Sequence, residues 1–455
     1  MHQPISDAIL RSFEQISPNP RIFYDLQSWG GGPAWSLTNS SLLYSLKADI
    51  EWADEANYEA VDFVFAALAN ATGLRELDLY LHHEGCVVGR DTPQAFPFAG
   101  YPDVRFQPLE VLRLDGYKLD ESEDGGWEWK QRGRAPWKAP SWSDWFREKW
   151  FEWSRKKWFG EVGENEATES NNRRTNLEAW LEVMDWSHLH TLHLAWPSKA
   201  TLNHLQGQTL PALTNLSLAI SDYFGDAKAQ DIIPFLTNTA QPLRGVIIKS
   251  SQTELGDPIL ETFIAAPNLT QELRQFSYRH GPELEDKSFL SQDLISKFLH
   301  STPSLESLDI ELPRDVNTST DTGLFSNLIN SPSLKKTTLR FPSPDLDYQT
   351  MRWDDSGSQL SMQYHEMRRN YYTSNGTDDE ADPLFNEDTA LAMFKKMRAR
   401  KRGAELKELE LYVGDWEDRD FRGMMGRVMV RVAYWGCFVV DGAERCEGGQ
   451  MRLLE

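Results

Sequence analysis

Residues 290–312 read LSQDLISKFLHSTPSLESLDIEL, and this stretch decides the fold. Its first half repeats apolar residues on one side of a helix of about 3.6 residues per turn. Pro303 then ends the helix, because its ring has no N–H to donate and restricts the residue before it. Leu308 and Ile310 follow with the alternation of a half-buried strand. One helix–strand unit cannot enclose its own apolar face, so it needs neighbours of the same kind.

The neighbours are copies of a motif of the form LxxLxL, in which the last two apolar positions vary. The motif occurs nine times, starting at Leu74, Leu109, Leu189, Leu213, Leu243, Leu273, Leu305, Leu334 and Leu406. The starts at 189, 213, 243, 273, 305 and 334 lie 24, 30, 30, 32 and 29 residues apart. These spacings lie at or slightly above those of leucine-rich repeats. Helices are predicted before several of the copies, and two further strands are predicted at 21–26 and 42–50.

The sequence therefore predicts an α/β fold, an irregular leucine-rich-repeat solenoid or horseshoe. Parallel strands would form its concave side and helices its convex side. The predicted organisation is an N-terminal segment at 1–40, a solenoid at 41–418 and a C-terminal cap and tail at 419–455. Insertions interrupt the solenoid at about 115–176 and 343–386. A doubly wound α/β domain is the alternative, which is less favoured because nine such strands are many for an open sheet.

Composition limits the classes of partner. The 455-residue chain has a net charge of −22, so polyanions such as nucleic acids and anionic membranes would be repelled. Three cysteines, Cys86, Cys437 and Cys446, are too few for a disulfide framework and predict a reducing compartment. The first residues do not resemble a signal peptide, and no stretch of apolar residues is long enough for a membrane span. A cytoplasmic or nuclear location is predicted.

Motifs for catalysis are absent from the sequence. There is no Gly-rich phosphate loop, GxSxG elbow, HExxH or paired CxxC. His188, His190 and His193 lie close together in sequence, but zinc would need three or four converging ligands. The segment His82-His-Glu84 has no nucleophile motif near it. We therefore expect no enzymatic activity, no cofactor and no metal.

Motif positions three and five offer a different kind of site, because they point away from the leucine core. On the predicted solenoid they line the concave side as a mixed polar surface, which suits protein recognition. The candidate interaction residues are Glu76, Asp78, Arg113, Thr191, His193, Asn215, Ser217, Gln275, Ser277, Ser307, Asp309, Lys336, Thr338, Glu408 and Glu410.

The first insertion contains a Trp-rich basic segment at 127–158, which has nine Lys or Arg against four Asp or Glu. Read as a helix, it brings together a candidate aromatic patch of Trp142, Trp145, Trp150 and Trp153. This patch could bind a peptide, a carbohydrate or a phosphorylated motif, or it could pack on the repeat core. The second insertion is polar and acidic and predicts a surface loop.

Several stretches resemble one group of proteins. These are LYSLKADI at 43–50, LEVLRLDGY at 109–117, TNLEAWLEVMDWSHL at 175–189 and VGDWED at 413–418, together with the Trp-rich segment. They resemble filamentous-fungal F-box-type proteins with degenerate leucine-rich repeats. The resemblance implies an N-terminal F-box that binds the Skp adaptor of a cullin–RING ubiquitin ligase, and repeats that present a substrate. Residues 1–40 do not read as an F-box, so no adaptor-binding residue is assigned.

The function expected from these observations is a non-enzymatic protein-interaction scaffold. The resemblance implies the substrate-recognition part of an F-box-type ubiquitin-ligase receptor, with a Skp-type adaptor as partner only where an F-box is present. The alternative is a ligand or carbohydrate binder that acts through the Trp-rich segment at 127–158. The protein partner itself is not encoded in any motif.

Overall fold

A computed structural model of the chain describes most of the predicted repeats. The longer described stretches are 20–27, 33–50, 55–81, 103–120, 174–206, 210–221, 226–238, 242–250, 255–280, 289–313, 323–341, 386–414, 431–440 and 442–450. These residues fall into two compact units. The first unit contains the described residues up to Thr214, and the second contains those from Asn215 onward. No helix in the described stretches is both long and apolar enough to cross a membrane.

The first unit has five parallel strands that pair in chain order. They are β1 (Ile22–Gln27), β2 (Leu43–Ile50), β3 (Glu76–Leu81), β4 (Val111–Asp115) and β5 (Thr191–Ala195). Its helices are α1 (Glu55–Asn70), α2 (Asn176–Val183) and α3 (Lys199–Gln206), with short 3-10 turns at Trp35–Asn39 and Trp186–His188. The predicted strands at 21–26 and 42–50 are thereby confirmed.

Aromatic side chains form much of the core of the first unit. The ring of Phe65 from α1 lies 5.4 Å from that of Phe106, centroid to centroid. Phe106 lies 5.2 Å from Trp180 of α2, which is fully buried. Phe96 joins the same cluster, 5.6 Å from Trp180. These ring contacts join the two helices to each other through Phe96 and Phe106, which lie between the elements.

The second unit has eight strands that also pair in chain order. They are β6 (Asn215–Ile220), β7 (Gly245–Ser250), β8 (Gln275–His280), β9 (Ser307–Glu311), β10 (Lys336–Phe341), β11 (Glu408–Gly414), β12 (Arg431–Val440) and β13 (Ala443–Gln450). Its helices are α4 (Ala229–Thr237), α5 (Gly256–Ala265), α6 (Gln292–Ser301), α7 (Gly323–Asn330) and α8 (Glu387–Arg400), with a helical turn at Pro267–Thr270. The first six strands are parallel, and the last two are antiparallel.

The stretch 290–312 forms the predicted helix and strand. Helix α6 ends at Ser301, two residues before Pro303. The ring of Phe298 on α6 lies 4.7 Å from Phe276 of β8 and 6.0 Å from Phe263 of α5. Each repeat therefore completes the apolar core of the one before it, as the isolated unit requires.

A backbone ladder links the second position of each motif to the same position of the previous copy. The N–H of Glu306 donates to Arg274 O at 2.8 Å, and that of Lys335 donates to Glu306 O at 2.8 Å. Across the second insertion, Lys407 N–H donates to Lys335 O at 2.7 Å. Across the first, His190 N–H donates to Glu110 O at 2.9 Å. The insertions thus leave the repeat register intact.

The strand order argues against the alternative architecture. A doubly wound sheet reverses direction at a switch point, so its strands do not follow chain order. Within each unit the strands do follow chain order, and the parallel α/β arrangement predicted from the motif spacing is confirmed. The sequence predicts one solenoid over 41–418 and does not indicate the division between Thr214 and Asn215.

The end of the chain departs from the repeat. Strand β12 pairs antiparallel with β11, and β13 then pairs antiparallel with β12. Cys437 and Cys446 are register partners in this hairpin and form a disulfide. Three cysteines predict a reducing compartment, and the disulfide between Cys437 and Cys446 contradicts this prediction. The reason is geometric: a tight hairpin brings two residues nine apart face to face.

Candidate interaction face

The outward face is the side of the strands opposite the buried leucines. Motif positions three, five and seven lie on it, because successive side chains of a strand point to opposite sides. The strand register aligns these positions into three rows, named the first, second and third rows in that order. Register partners along the second row of the first unit are Asp25, Lys47, Asp78, Arg113 and His193.

The charged side chains of this second row are half exposed. Lys47 Nζ lies 3.9 Å from Asp25 Oδ2, and an Arg113 guanidinium nitrogen lies 3.9 Å from Asp78 Oδ2. The exposed fractions of the four side chains are 40–48%. Ion pairs this long and this exposed contribute little to stability. All four charged side chains therefore present part of their surface to solvent.

An aromatic corner lies at the β1 end of this face. Phe23 is 66% exposed, and its ring centroid lies 5.7 Å from that of Tyr44. The Arg21 guanidinium sits 4.2 Å from the centre of the Tyr44 ring, and the Tyr44 hydroxyl donates to Glu110 Oε2 at 3.4 Å. Partial burial raises the pKa of Tyr44, and the Glu110 carboxylate raises it further. Tyr44 is therefore held from two sides beside the exposed ring.

The second unit carries a more enclosed set of charges. Asp309 accepts hydrogen bonds from Arg279 Nε at 2.8 Å and from Arg340 Nε at 2.9 Å. The exposed fractions of these three side chains are 12–20%. Charges removed from water to this degree depend on their partners, so the carboxylate ties β8, β9 and β10 together.

A second ionic cluster joins β10 to β11. Lys336 Nζ lies 3.0 Å from Glu408 Oε1 and 3.2 Å from Glu410 Oε1. The Thr338 hydroxyl donates to Glu410 Oε2 at 2.7 Å. Partial burial by itself lowers the pKa of Lys336, but the bonds to the two glutamates outweigh it and raise that pKa.

Aromatic rings continue this cluster toward the C-terminal hairpin. The Arg340 guanidinium lies 4.3 Å from the centre of the Tyr412 ring. Tyr412 in turn lies 4.7 Å from Tyr434 of β12, centroid to centroid. Burial, followed by the Glu410 charge, raises the pKa of both tyrosines, so both hydroxyls stay protonated at neutral pH. Arg340, Tyr412 and Tyr434 thus form a continuous stack of packed side chains across β10, β11 and β12.

A buried carboxylate lies beside this stack. Glu311 Oε2 accepts from the backbone N–H of His280 at 3.0 Å and lies 3.4 Å from its ring Nδ1. The His280 side chain is fully buried and its ring lies 5.3 Å from Tyr278. Burial raises the pKa of Tyr278, and the Glu311 charge raises it further. These contacts hold the ends of β8 and β9 together.

The structure places all the predicted interaction residues on strands, but it exposes them unequally. Four are buried: His193, Ser277, Asp309 and Thr338. Eight are partly exposed: Glu76, Asp78, Thr191, Ser217, Ser307, Lys336, Glu408 and Glu410. Three are exposed: Arg113, Asn215 and Gln275. The predicted exposure to a partner is therefore wrong for the four buried residues. Asp309 is enclosed between Arg279 and Arg340, and the Thr338 hydroxyl donates to Glu410.

Some residues of the face were missed because they lie outside the two motif positions considered. Arg279, Arg340 and Tyr412 occupy position seven, which continues the same alternation by one more step. Phe23 and Lys47 lie on strands that precede the first LxxLxL copy. The inward–outward alternation of side chains, applied also to position seven and to the strands at 21–26 and 42–50, would have identified these five residues.

The remaining sequence candidates do not form a site in the described part of the chain. His188 is exposed and lies 3.7 Å from Asp185, whereas His193 is buried on β5. No group of His, Cys, Asp or Glu among the described residues could hold a metal ion. The segment 82–84 and the candidate aromatic patch of Trp142, Trp145, Trp150 and Trp153 lie outside the described residues.

Neither the models of known protein families nor the curated proteins include a match to this chain.

Proposed function

We propose that the protein is a non-enzymatic interaction scaffold built from irregular leucine-rich repeats. The observation that carries the proposal is the outward face of β1–β4, where four half-exposed charges flank the exposed ring of Phe23. Protein interfaces combine an aromatic anchor with polar surroundings in this way. Arrays of such repeats curve with their strands on the concave side, which is the horseshoe geometry included in this proposal.

The two units contribute differently in this proposal. On the second unit, Asp309 binds Arg279 and Arg340 at 2.8–2.9 Å with all three side chains 12–20% exposed, so this set of charges stabilises the array. Lys336 and Glu408 are 37–38% exposed but lie 3.0 Å apart. On the first unit the charged pairs are 3.9 Å apart and 40–48% exposed, and they share their face with the exposed ring of Phe23, so this face offers both charge and an aromatic anchor to a partner. The recognition function is therefore assigned to the first unit.

The resemblance to F-box-type proteins extends the proposal to one process. In this process the scaffold would select substrates for a ubiquitin ligase, and its repeats would present them. Co-purification of a Skp-type adaptor and a cullin with the full-length protein from its native host tests this extension. If neither copurifies, the ligase role is rejected and the scaffold role is unaffected.

The scaffold role is tested by locating the partner on the face. A photo-crosslinking residue in place of Ser45, a partly exposed first-row position on β2, should capture the partner in cells. The same residue in place of Lys297, exposed on α6, is the control. The captured protein is identified by mass spectrometry, purified and used for direct binding measurements.

Those measurements compare Phe23→Ala and Lys47→Glu with the control Lys297→Glu. Loss of the aromatic anchor should weaken binding by about tenfold or more, whereas a distant charge change should have little effect. Equal affinity of all variants, or capture only from position 297, contradicts the proposal.

A further inference from the structure

The second row of the first unit alternates in charge. Across the neighbouring strands β1, β2, β3 and β4 the side chains are Asp25, Lys47, Asp78 and Arg113. The signs read minus, plus, minus, plus. The exposed fraction of each of these four side chains is 40–48%, so the row faces solvent from β1 to β4, whereas His193 on β5 is buried. A partner that lies across the strands therefore contacts one charged side chain on each strand, and the sign of the charge alternates from strand to strand.

The spacing of these charges distinguishes between two kinds of partner segment. Neighbouring strands lie about 4.8 Å apart, so three steps cover about 14 Å. Three turns of an α-helix cover about 16 Å, because one turn rises about 5.4 Å. Three same-side steps of an extended chain cover about 20 Å. Side chains on successive turns of a helix can therefore each lie opposite one charge of the row. The matching side chains of an extended chain would be displaced by more than one strand spacing at the far end of the row.

The aromatic corner supplies an anchor at one end of this row. Phe23 lies two residues before Asp25 on β1 and is 66% exposed, the highest value of any large apolar side chain among the described residues. Its neighbour Tyr44 is held by Arg21 and Glu110, so the ring beside Phe23 is supported. An apolar side chain on the partner would bury Phe23 and fix the end of the segment at β1.

We propose that the partner segment is an amphipathic α-helix that lies across β1–β4. Along the contacting side it carries plus, minus, plus and minus charges on successive turns, with an apolar residue beside the first plus charge. The basic groups pair with Asp25 and Asp78, the acidic groups pair with Lys47 and Arg113, and the apolar residue covers Phe23. This proposal rests on the proposed function, since it specifies the partner of the same face.

The second unit does not provide the same row. Its second-row residues Ser277, Asp309 and Thr338 are buried, and Glu410 is engaged by Lys336 and Thr338. A helix placed there would have to displace existing ionic bonds. The alternating, exposed row is therefore a property of the first unit in the described part of the chain.

Two synthetic peptides of identical composition test the proposal on the full-length protein. Each is a stabilised helix of roughly 15 residues with an apolar residue at one end, long enough to cross four strands. The first carries Lys, Glu, Lys and Glu on successive turns. The second carries Lys, Lys, Glu and Glu at the same positions. In either orientation the second peptide makes two attractive and two repulsive contacts with the row, whereas the first can make four attractive contacts.

Fluorescence anisotropy should show at least about tenfold tighter binding of the alternating peptide, decreasing with added salt. Phe23→Ala should weaken this binding, and a proline placed in the middle of the peptide should abolish it by breaking the helix. Equal binding of the two helices, binding of neither, or full binding of the proline peptide overturns the proposal.

A charge-exchanged protein provides the decisive control. Lys47→Asp combined with Asp78→Lys keeps the net charge and changes the row to minus, minus, plus, plus. These side chains are half exposed, so the fold should persist, which circular dichroism verifies. This variant should prefer the Lys-Lys-Glu-Glu peptide. An unchanged preference contradicts the proposal.

The two proposals fail in distinguishable ways. If the peptides do not discriminate but Phe23→Ala and Lys47→Glu still weaken binding of the crosslinked partner, the scaffold role remains and the helix is rejected. If those variants bind the partner like the unsubstituted protein, the scaffold role of this face is rejected whatever the peptides do.

Discussion

Arg340 on β10 donates from Nε to Asp309 Oδ1 on β9 at 2.9 Å, and both side chains are only 12% exposed. Asp309 also receives Arg279 from β8 on the other side. One carboxylate thus serves two guanidinium groups from two neighbouring strands. A residue predicted to recognise a partner is instead central to the internal bonding of the second unit.

Asp309→Asn should therefore lower the free energy of unfolding by roughly 2–3 kcal/mol, because two shielded guanidinium groups lose their counter-charge. Urea denaturation measures the change. The control is Glu272→Gln, which removes a carboxylate 3.6 Å from Arg244 in a pair that is more than half exposed. The control should change stability by less than about 0.5 kcal/mol. Similar values for the two variants would show that Asp309 is not a structural residue.

Two glycines with similar backbone angles provide a matched test of close packing. Gly403 has φ +82°, and a Cβ there would collide with the carbonyl of Pro332. Gly323 has φ +66° with open space around the same position. Gly323→Ala should cost only the strain of a positive φ, about 1–2 kcal/mol. Gly403→Ala should cost clearly more, as measured by thermal unfolding, and equal effects would exclude the collision.

The disulfide between Cys437 and Cys446 should stabilise the C-terminal hairpin. Closing a loop between residues nine apart in sequence restricts the unfolded chain, so Cys446→Ser should lower the free energy of unfolding by about 2–3 kcal/mol. Under a reducing agent the variant and the unsubstituted protein should become similar. Titration of three free thiols in the denatured, unreduced protein would show that the bond does not form.

The start of α2 should make stability depend on pH. Glu178 Oε2 accepts from Thr175 N–H at 2.7 Å, and Thr175 Oγ1 accepts from Glu178 N–H at 3.2 Å. The backbone bond from Thr175 lowers the pKa of Glu178 below its ordinary value of 4.5, despite some opposing desolvation. The ionised Glu178 carboxylate therefore stabilises the folded chain fully at pH values above 4.5. This stabilisation is lost as the pH falls through the lowered pKa of Glu178.

Unfolding measured from pH 6 to pH 3 should therefore show a steeper loss of stability for the unsubstituted protein than for Glu178→Gln. Thr175→Ala, which removes the cap itself, should cost about 1 kcal/mol at pH 7. A Glu178→Gln variant with the same pH profile as the unsubstituted protein contradicts this role of the capping pair.

Much of the fold could be predicted from local pattern. The LxxLxL copies correspond to strands, and the helix ahead of Pro303 ends close to it. These features are local, because helix and strand periodicity and proline chemistry act over a few residues. In the second unit, equivalent motif positions are register partners on neighbouring strands.

The candidate site was less predictable. Motif alternation correctly placed Asp78 and Asp309 on the outward face, but it could not tell that one is half exposed and the other enclosed. That difference depends on which long side chains lie on the neighbouring strands, about 30 residues away in sequence. Phe23, the most exposed large apolar side chain described, belongs to no motif copy.

The sequence by itself determined the repeating helix–strand unit, its chain-order stacking and the side of each strand that faces the core. The physical reason is that an amphipathic unit of this length can be buried only by copies of itself. Tertiary structure alone decided the disulfide of the final hairpin, the enclosure of Asp309 and the alternating charges across β1–β4. The disulfide depends on the register of the final hairpin, and the other two depend on register between strands about 30 residues apart in sequence. Only the folded chain sets these registers.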